Sequence, residues 1–345
     1  MIPADIICKK RDGVELKKNE INKFIEGYLL GSVTESQMSA FLMSIYFNGL
    51  SKNETLEMLD KMINSGSKLN FKKSKRYIAD KHSTGGIGDK ISIILSPLMA
   101  ASGINIPMIA GKGLGFTGGT IDKIDSIPGI NTTPSLKIFE DWVNKIGAGI
   151  ISQSKEICPA DHKIYSLRNE TGTIPSLPLI CCSILSKKIA EGIQGLVLDI
   201  KVGSGAFMKT KNKAIELSQL MIDIGTSYGI KIDTVFTNMD QPLGKFAGLA
   251  CEINESIECL KGKGSGDLME VTYELGSKLL LQANLARNKK NAIKTLKKLI
   301  QSKTALKYFY SMIENQKGNI KKFQSNTEPK YEEFIYATEN GIIRV

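Results

Sequence analysis

The sequence predicts an α/β protein built of a small all-helical domain and a larger α/β domain with a mainly parallel sheet. Residues 14–66 show helical spacing with start and stop signals. From Tyr77 onward, short apolar β-prone runs alternate with helical stretches, a pattern typical of parallel βαβ units. The 345 residues, 42% hydrophobic and 23% charged, indicate a globular chain rather than a disordered one.

Three helices are predicted within residues 14–66. Thr34 and Gln37 have the spacing of a capping box, in which each residue satisfies a free backbone N–H of the first helical turn. Ser51 and Glu54 have the same spacing. Glycines stand where the helices are expected to end, at Gly31, Gly49 and Gly66.

The larger domain is predicted from short apolar runs that alternate with helical stretches. Strands are expected at residues 77–79, 106–109, 150–151, 196–200 and 234–237. Later helices are expected at residues 212–228, 266–287 and 291–302. The last apolar runs, 334–337 and 341–345, are expected to be strands, and a chain that stops on a strand favours an incomplete C-terminal part.

One helical segment interrupts the α/β order. Residues 160–169 and 177–191 are expected to be helical with no strand between them, so we expect them to return to the small domain. The small domain is therefore assigned residues 1–68 and 159–193. The α/β domain is assigned residues 69–158 and 194–345.

Composition and charge indicate which binding partners and which cellular compartment to expect. The net charge of +11 comes mainly from lysines at helical spacings with few aromatic or arginine residues, which indicates solvated helix faces rather than nucleic-acid binding. The longest apolar run, residues 93–101, is far shorter than the roughly 20 residues of a membrane span. The N-terminus lacks a signal-peptide pattern and the six cysteines lack CxxC spacing, so we expect a cytoplasmic protein with reduced thiols.

Two glycine-rich loops predict an anion site. Residues 80–89 leave a strand and enter a helix, and they combine the Lys81 ammonium with the hydroxyls of Ser83 and Thr84, with Ser92 following. Such a turn alone is as often tight packing as a binding site. A second loop, residues 110–125, follows the next strand, and two loops of this kind can surround one phosphate at the carboxyl edge of a sheet.

These loops resemble the signature of the pyrimidine and thymidine phosphorylase family. The resemblance extends over Ile6 to Phe47, Pro159 to Asp161 and Asp199 to Met208. It implies a helical and an α/β domain facing each other across an active-site cleft, and a homodimer formed through the N-terminal helices. It implies phosphorolysis of thymidine or deoxyuridine to the free base and 2-deoxyribose 1-phosphate, a pentosyltransferase reaction with small-molecule substrates and no required cofactor.

The resemblance also implies roles for individual residues. His82, Arg168 and Lys187 are the expected catalytic residues, and His82 is expected to give a proton or a hydrogen bond to the pyrimidine oxygen, whereas His162 is expected to be structural. Ser183 and Lys187 are four residues apart and share one helix face. The expected base ligands are Arg168, Ser183 and Lys187. The expected phosphate ligands are Lys81, His82, Ser83, Ser92, Met108, Ile109, Ala110 and Thr120.

The second loop departs from the family pattern at three positions. Ala110, Lys112 and Phe116 replace the usual serine, arginine and histidine. Loss of the hydroxyl at Ala110 removes a hydrogen bond worth about 0.5–1.5 kcal/mol. An alternative interpretation is therefore an impaired homologue that binds phosphate or nucleoside without turnover. The family also continues past Val345, which favours a truncated or shortened chain.

Some members of the family bind a potassium ion. The matching positions here are Gly88, Lys90, Leu243, Phe246 and Glu255. Lys90 stands where threonine is usual, and we expect its ammonium to pair with Glu255 in place of the ion.

Met108 bears on substrate choice. Thymidine phosphorylases resemble this chain in having methionine there, while broader pyrimidine enzymes tend to have lysine, so we expect a preference for 2'-deoxyribose. A broad enzyme that also accepts uridine is the alternative. The architecture also resembles anthranilate phosphoribosyltransferase, whose diphosphate-sugar substrate calls for an acidic magnesium site. The phosphate loops carry no convincing site of that kind.

Overall fold

A computed structural model describes residues 2–71, 74–113, 118–325, 331–339 and 341. Its N-terminal part is helical, and the three helices predicted within residues 14–66 are confirmed, with one further helix before them. These four helices are α1 (Pro3–Arg11), α2 (Lys18–Leu30), α3 (Glu35–Asn48) and α4 (Lys52–Ile63). Later in the chain, α8 (Pro159–Glu170) packs on α3 and α4, and α9 (Leu177–Ala190) packs on α4.

Glu54 organises the helical part. Its carboxylate accepts the N–H of Ser51 at 2.7 Å and so completes the capping box at the start of α4. Both carboxylate oxygens also accept from the Lys10 ammonium on α1 at 2.8 Å, and one accepts the N–H of Leu16 at 2.9 Å. Lys10 and Glu54 are both buried, so this ion pair fixes α1 and the turn after it against α4.

Among the described residues, five parallel strands form the sheet region, as the α/β prediction requires. One sheet has the order β1-β4-β5, and the other pairs β2 with β3. A parallel bridge between Ile78 and Asn105 brings the starts of β1 and β2 side by side. The strands are β1 (Ala79–Ser83), β2 (Ile106–Ala110), β3 (Ala148–Ser152), β4 (Gly195–Val202) and β5 (Lys231–Asn238).

Helices cover the strands, and α5 lies at the centre of this layer. Residues Ile91 to Ala100 of α5 are all buried, which agrees with its almost uniformly apolar sequence. It contacts α11 to α14 and the strands β2 and β3. The helices of this part are α5 (Ile91–Ser102), α6 (Thr120–Asp125), α7 (Leu136–Ile146), α10 (Lys211–Ser227), α11 (Leu249–Leu260), α12 (Gly266–Gln282), α13 (Lys289–Gln301), α14 (Thr304–Asn315) and α15 (Ile320–Ser325).

Two expectations about strands need correction. The first strand begins at Ala79 and runs up to Ser83, because Lys81, His82 and Ser83 line a cavity and Asp80 pairs with a buried ammonium. The strand expected at residues 334–337 does not form, since Phe334, Ile335 and Tyr336 are exposed and no described strand pairs with them. Residues 342–345 lie outside the described residues. Within the described ranges, no helix is both long and apolar enough to cross a membrane.

The Glu54 ion pair gives a test of the helical part. Glu54→Ala should lower the free energy of unfolding by about 3–5 kcal/mol, because it leaves the Lys10 ammonium buried without a partner. Glu26→Ala removes an exposed carboxylate 3.9 Å from Lys61 and should cost less than about 1 kcal/mol. Urea unfolding of the two variants measures both values, and equal losses would contradict the assigned role of Glu54.

Candidate active site

A cavity of about 290 Å³ lies between helices α8 and α9 and the carboxyl ends of β1 and β2. This size is near the lower end of small-molecule sites. The structure brings both predicted ligand sets to this one cavity. Its α/β side carries Lys81, His82, Ser83, Ser92, Met108, Ile109, Ala110 and Thr120, and its helical side carries Arg168, Ser183 and Lys187.

Lys81 is the buried cation on the α/β side. Its ammonium lies 3.4 Å from the Ser92 hydroxyl, 3.6 Å from the Asp89 carboxylate and 3.8 Å from the Asp199 carboxylate. Burial alone would raise the pKa of Asp89, but the ammonium groups of Lys81, Lys201 and Lys123 outweigh burial and hold that pKa well below its usual range. Asp89 therefore stays ionised, 3.6 Å from the Lys81 ammonium beside the cavity.

Asp199 and Lys201 continue this ion network along β4. The Lys201 ammonium lies 2.7 Å from the Asp199 carboxylate, and the Thr237 hydroxyl donates to the same carboxylate at 2.5 Å. Burial would lower the pKa of Lys201, but Asp89 and Asp199 reverse this and raise it. The α/β side of the cavity is thus backed by alternating buried charges.

The first glycine loop is tied to neighbouring backbone. The Ser83 hydroxyl accepts the N–H of Gly85 at 3.1 Å, and the Thr84 hydroxyl accepts the N–H of Lys201 at 2.9 Å. Thr84 therefore fastens the loop to β4. A hydroxyl that accepts one hydrogen bond keeps its own proton to donate.

The second glycine loop is closed by one carboxylate. Asp122 accepts the N–H of Gly113 at 2.6 Å and that of Gly119 at 2.8 Å, which brings the two described ends of the loop together. Thr120 follows at the first turn of α6. Lys112 is exposed, with its ammonium 3.9 Å from the Asp125 carboxylate. The substituted position Phe116 lies outside the described residues.

Arg168 is held rigidly on the helical side. Its side chain is 1% exposed, so it is not the solvated helix charge that its sequence position alone would suggest. The guanidinium donates to the carbonyls of Leu179 at 2.9 Å and Ile174 at 2.7 Å, while the buried Nε atom has no described partner. Burial lowers the pKa of Arg168, yet a guanidinium remains charged at neutral pH.

Lys187 and Ser183 share one face of α9, as their spacing predicts, with the ammonium 3.1 Å from the hydroxyl. The Lys187 ammonium also donates to the buried carboxylate of Asp161 on α8. Asp161 thus orients Lys187 towards the cavity wall.

His82 lines the cavity between Lys81 and Ser83. Removal from bulk water lowers the pKa of its imidazole well below the usual value, and Lys188, Lys187 and Lys81 lower it further by repulsion, against a smaller opposing effect of Asp89. The ring is therefore neutral near pH 7. This favours a hydrogen-bonding role over donation of a proton from an imidazolium. The other histidine, His162, is exposed on α8 and is not part of the cavity lining.

A buried cluster behind the cavity joins its two sides. The Lys188 ammonium lies 2.5 Å from the Asp80 carboxylate, 2.7 Å from the Glu191 carboxylate and 3.1 Å from the Ile109 carbonyl. Glu191 accepts the N–H of Ile109 at 3.0 Å, and Asp80 accepts the N–H of Lys81 at 2.7 Å. Lys188 therefore connects α9, which carries Ser183 and Lys187, to both β1 and β2.

Sequence reasoning assigned no role to Asp80, Asp161, Lys188, Glu191 or Asp199. One signal was available, because ionisable residues within apolar segments are seldom buried without a partner. Asp199 and Lys201 interrupt the apolar run of β4 in this way, and Lys188 does so in α9. The sequence does not tell which residues they pair with, because Asp80 and Lys188 are 108 positions apart.

The five expected potassium positions also come together, but outside the cavity lining. The Lys90 ammonium occupies their centre and is bonded by the Leu243 and Phe246 carbonyls and the Glu255 carboxylate. Gly88 packs directly against Leu243. Because a fixed cation already takes these oxygens, the residues present do not fit a bound potassium ion.

Both parts of the chain resemble known proteins. Two family models match: the helical bundle domain of a glycosyl transferase family over residues 4–66, and the a/b domain of the same family over residues 75–306. A pyrimidine-nucleoside phosphorylase from Staphylococcus haemolyticus is 43% identical over 317 residues, which is 92% of this chain and 73% of that protein. The chain belongs to the pyrimidine-nucleoside phosphorylase family. It is a pentosyltransferase, as predicted from the sequence.

Further relatives agree with this membership. A pyrimidine-nucleoside phosphorylase from Geobacillus stearothermophilus is 41% identical over 343 residues, 99% of this chain and 79% of that protein. Among solved structures, anthranilate phosphoribosyltransferase from Thermus thermophilus superimposes with a TM-score of 0.72, covering 91% of this chain and all of that one. Its sequence is only 15% identical, so it shows a shared fold and no more.

The state of His82 gives a pH test. The folded protein keeps this imidazole neutral, whereas in the unfolded chain it takes up a proton below a pKa of about 6.5. The unfolded state thus binds more protons as pH falls from about 7 to 5, and the free energy of unfolding should fall with it.

His82→Asn should flatten this dependence, whereas His162→Asn, at an exposed position, should leave it unchanged. Urea unfolding at several pH values measures the slopes. Equal slopes for the wild type and His82→Asn would contradict the neutral imidazole.

Proposed function

We propose that the chain catalyses phosphorolysis of pyrimidine 2'-deoxynucleosides, converting thymidine or deoxyuridine and phosphate to the base and 2-deoxyribose 1-phosphate. The observation that carries the proposal is the meeting of two opposed ligand sets in one cavity: Lys81, Ser83 and Ser92 on one side, and Arg168 and Lys187 on the other. The names of the relatives support the substrate class.

In this proposal, phosphate binds on the α/β side. Lys81 supplies a charge already fixed by Asp89 and Asp199, so little reorganisation is needed when the anion arrives. The hydroxyls of Ser83, Ser92 and Thr120 line the same side of the cavity and supply hydrogen bonds.

The base binds on the helical side. Arg168 is positioned by two carbonyls and Lys187 by Asp161 and Ser183, so two cations face the region where negative charge develops on the departing base. The neutral His82 ring supplies a hydrogen bond to a pyrimidine oxygen.

The reaction then needs positioning more than covalent chemistry from the protein. A phosphate oxygen forms a bond to the anomeric carbon as the bond from that carbon to the base nitrogen breaks. The bonding electron pair leaves with the base, and the base anion takes a proton from solvent or phosphate. Ordered cations on both sides stabilise the separated charges.

Met108 supports a preference for deoxyribose. Its side chain is buried in the cavity wall, with its sulfur 3.9 Å from the Ser96 hydroxyl. An apolar group at this position offers no hydrogen bond to a 2'-hydroxyl, so ribose has no additional binding interaction there compared with 2-deoxyribose. Activity on uridine as well is the broader alternative.

The position of Ala110 favours a second candidate function. Ala110 lines the cavity without a hydroxyl to offer phosphate. A homologue that binds phosphate and nucleoside without turning them over is consistent with that loss.

We also propose a cytoplasmic homodimer formed through the N-terminal helices. Leu30 of α2 and Phe47 of α3 are 80% and 77% exposed, and Met43 and Tyr46 of α3 are exposed as well. Met43, Tyr46 and Phe47 are spaced i, i+3 and i+4 on α3 and so share one face of it, and an exposed apolar face favours a protein contact.

The proposal also includes two domains. The small helical domain takes residues 1–68 and 159–193, and the α/β domain takes residues 69–158 and 194–345.

Thymine release from thymidine tests the reaction. The purified protein should release thymine only when phosphate is present, faster than it releases uracil from uridine, and His82→Ala should lower the rate. Met108→Lys adds a hydrogen-bond donor, which should raise activity on uridine relative to thymidine by about 2- to 10-fold.

Two results would count against the proposal. Release without phosphate would indicate hydrolysis rather than phosphorolysis. Stabilisation by phosphate or thymidine with no release from either nucleoside would favour the binding homologue.

A further inference from the structure

A second buried cation lies directly after the first glycine loop, residues 80–89. The ammonium of Lys90, at the start of α5, lies 2.9 Å from the Leu243 carbonyl, 2.8 Å from the Phe246 carbonyl and 2.6 Å from the Glu255 carboxylate. Lys90 is fully buried. An ammonium has three N–H donors, and here each has an oxygen partner.

The surroundings of this ammonium are shaped closely to it. The Glu255 carboxylate also accepts the N–H of Lys245 at 2.8 Å and that of Phe246 at 3.2 Å, so the loop of residues 243–246 wraps around it. Gly244 has φ of +75°, and a Cβ atom there would lie 2.8–2.9 Å from both Glu255 oxygens and 2.9 Å from the Lys90 ammonium. Only glycine fits at this position.

The donor set has the chemistry of an alkali-cation site. Main-chain carbonyls and a carboxylate are the oxygens that replace the hydration shell of a monovalent cation. Here a tethered ammonium already holds these oxygens, and a second cation beside it would meet repulsion in a buried environment. We propose that Lys90 is a built-in replacement for a bound monovalent cation, which makes stability and activity independent of potassium.

This cation also positions the phosphate side of the cavity. Lys90 follows Asp89, whose carboxylate lies 3.6 Å from the Lys81 ammonium. On the other side, Lys123 donates to the Asp89 carbonyl at 2.8 Å and lies 2.7 Å from the Glu252 carboxylate. Glu252 and Glu255 are three residues apart on α11, so one helix holds both lysines that flank Asp89. The tethered cation therefore keeps this carboxylate in place without an ion from solution.

Thermal unfolding in potassium chloride and in choline chloride of equal ionic strength tests the inference without relying on the proposed reaction. The wild type should show the same Tm in both salts. Lys90→Thr removes the ammonium and adds a hydroxyl oxygen to the set, so its Tm should be low in choline chloride and rise by about 2 °C or more in potassium chloride.

Lys90→Met is the matched control. It removes the charge but fills the space with an apolar side chain, so its Tm should be low and should not respond to potassium. A Tm of the wild type that rises with potassium overturns the inference. A folded Lys90→Thr variant, with the circular dichroism of the wild type and no response to potassium, overturns it as well. If Lys90→Thr does not fold, the Tm of the wild type in the two salts still tests the inference.

Discussion

The ammonium of Lys188 is the interaction on which the rest of the site depends. It lies between the carboxylates of Asp80 and Glu191 and also donates to the Ile109 carbonyl, so one side chain of α9 reaches both β1 and β2. Burial would lower the pKa of Lys188, but the two carboxylates raise it. The ammonium thus stays charged in the interior, and losing it would leave the buried Asp80 carboxylate without its ion-pair partner, at a cost of about 3–5 kcal/mol.

Other buried ion pairs extend the same arrangement around the cavity. Lys81 is set by Asp89 and Asp199, Lys187 by Asp161, and Lys90 by Glu255. Buried pairs add little to net stability, because the desolvation of both charges offsets their attraction. Here these pairs fix the positions of the lysine ammonium groups. Cations held by fixed partners meet an anionic substrate without rearranging, whereas the nearby His82 imidazole stays neutral because it is withdrawn from bulk water and those cations repel its proton.

Local sequence signals were enough for most of the fold and for the residues that line the cavity. Capping boxes at Thr34 and Ser51 place two helices, and the glycine loops place Lys81 and Ser92 beside an anion site. The features that the sequence did not predict depend on contacts between separate helices and strands. The burial of Arg168 follows from how α8 meets α9, and the partners of Lys188 follow from how α9 meets β1 and β2. The strand expected at 334–337 has no described neighbour with which to pair.

Binding of phosphate and of thymidine to Lys188→Met, measured by titration calorimetry, tests most directly whether one ammonium holds both sides of the cavity. Both affinities should weaken by about tenfold or more, because β1, β2 and α9 lose the ammonium that connects them. Lys188→Arg, which keeps the charge, should recover part of the loss, and Lys163→Met, at an exposed position of α8, should change neither affinity. A folded Lys188→Met variant that binds both ligands normally, or loses only one, would contradict this account.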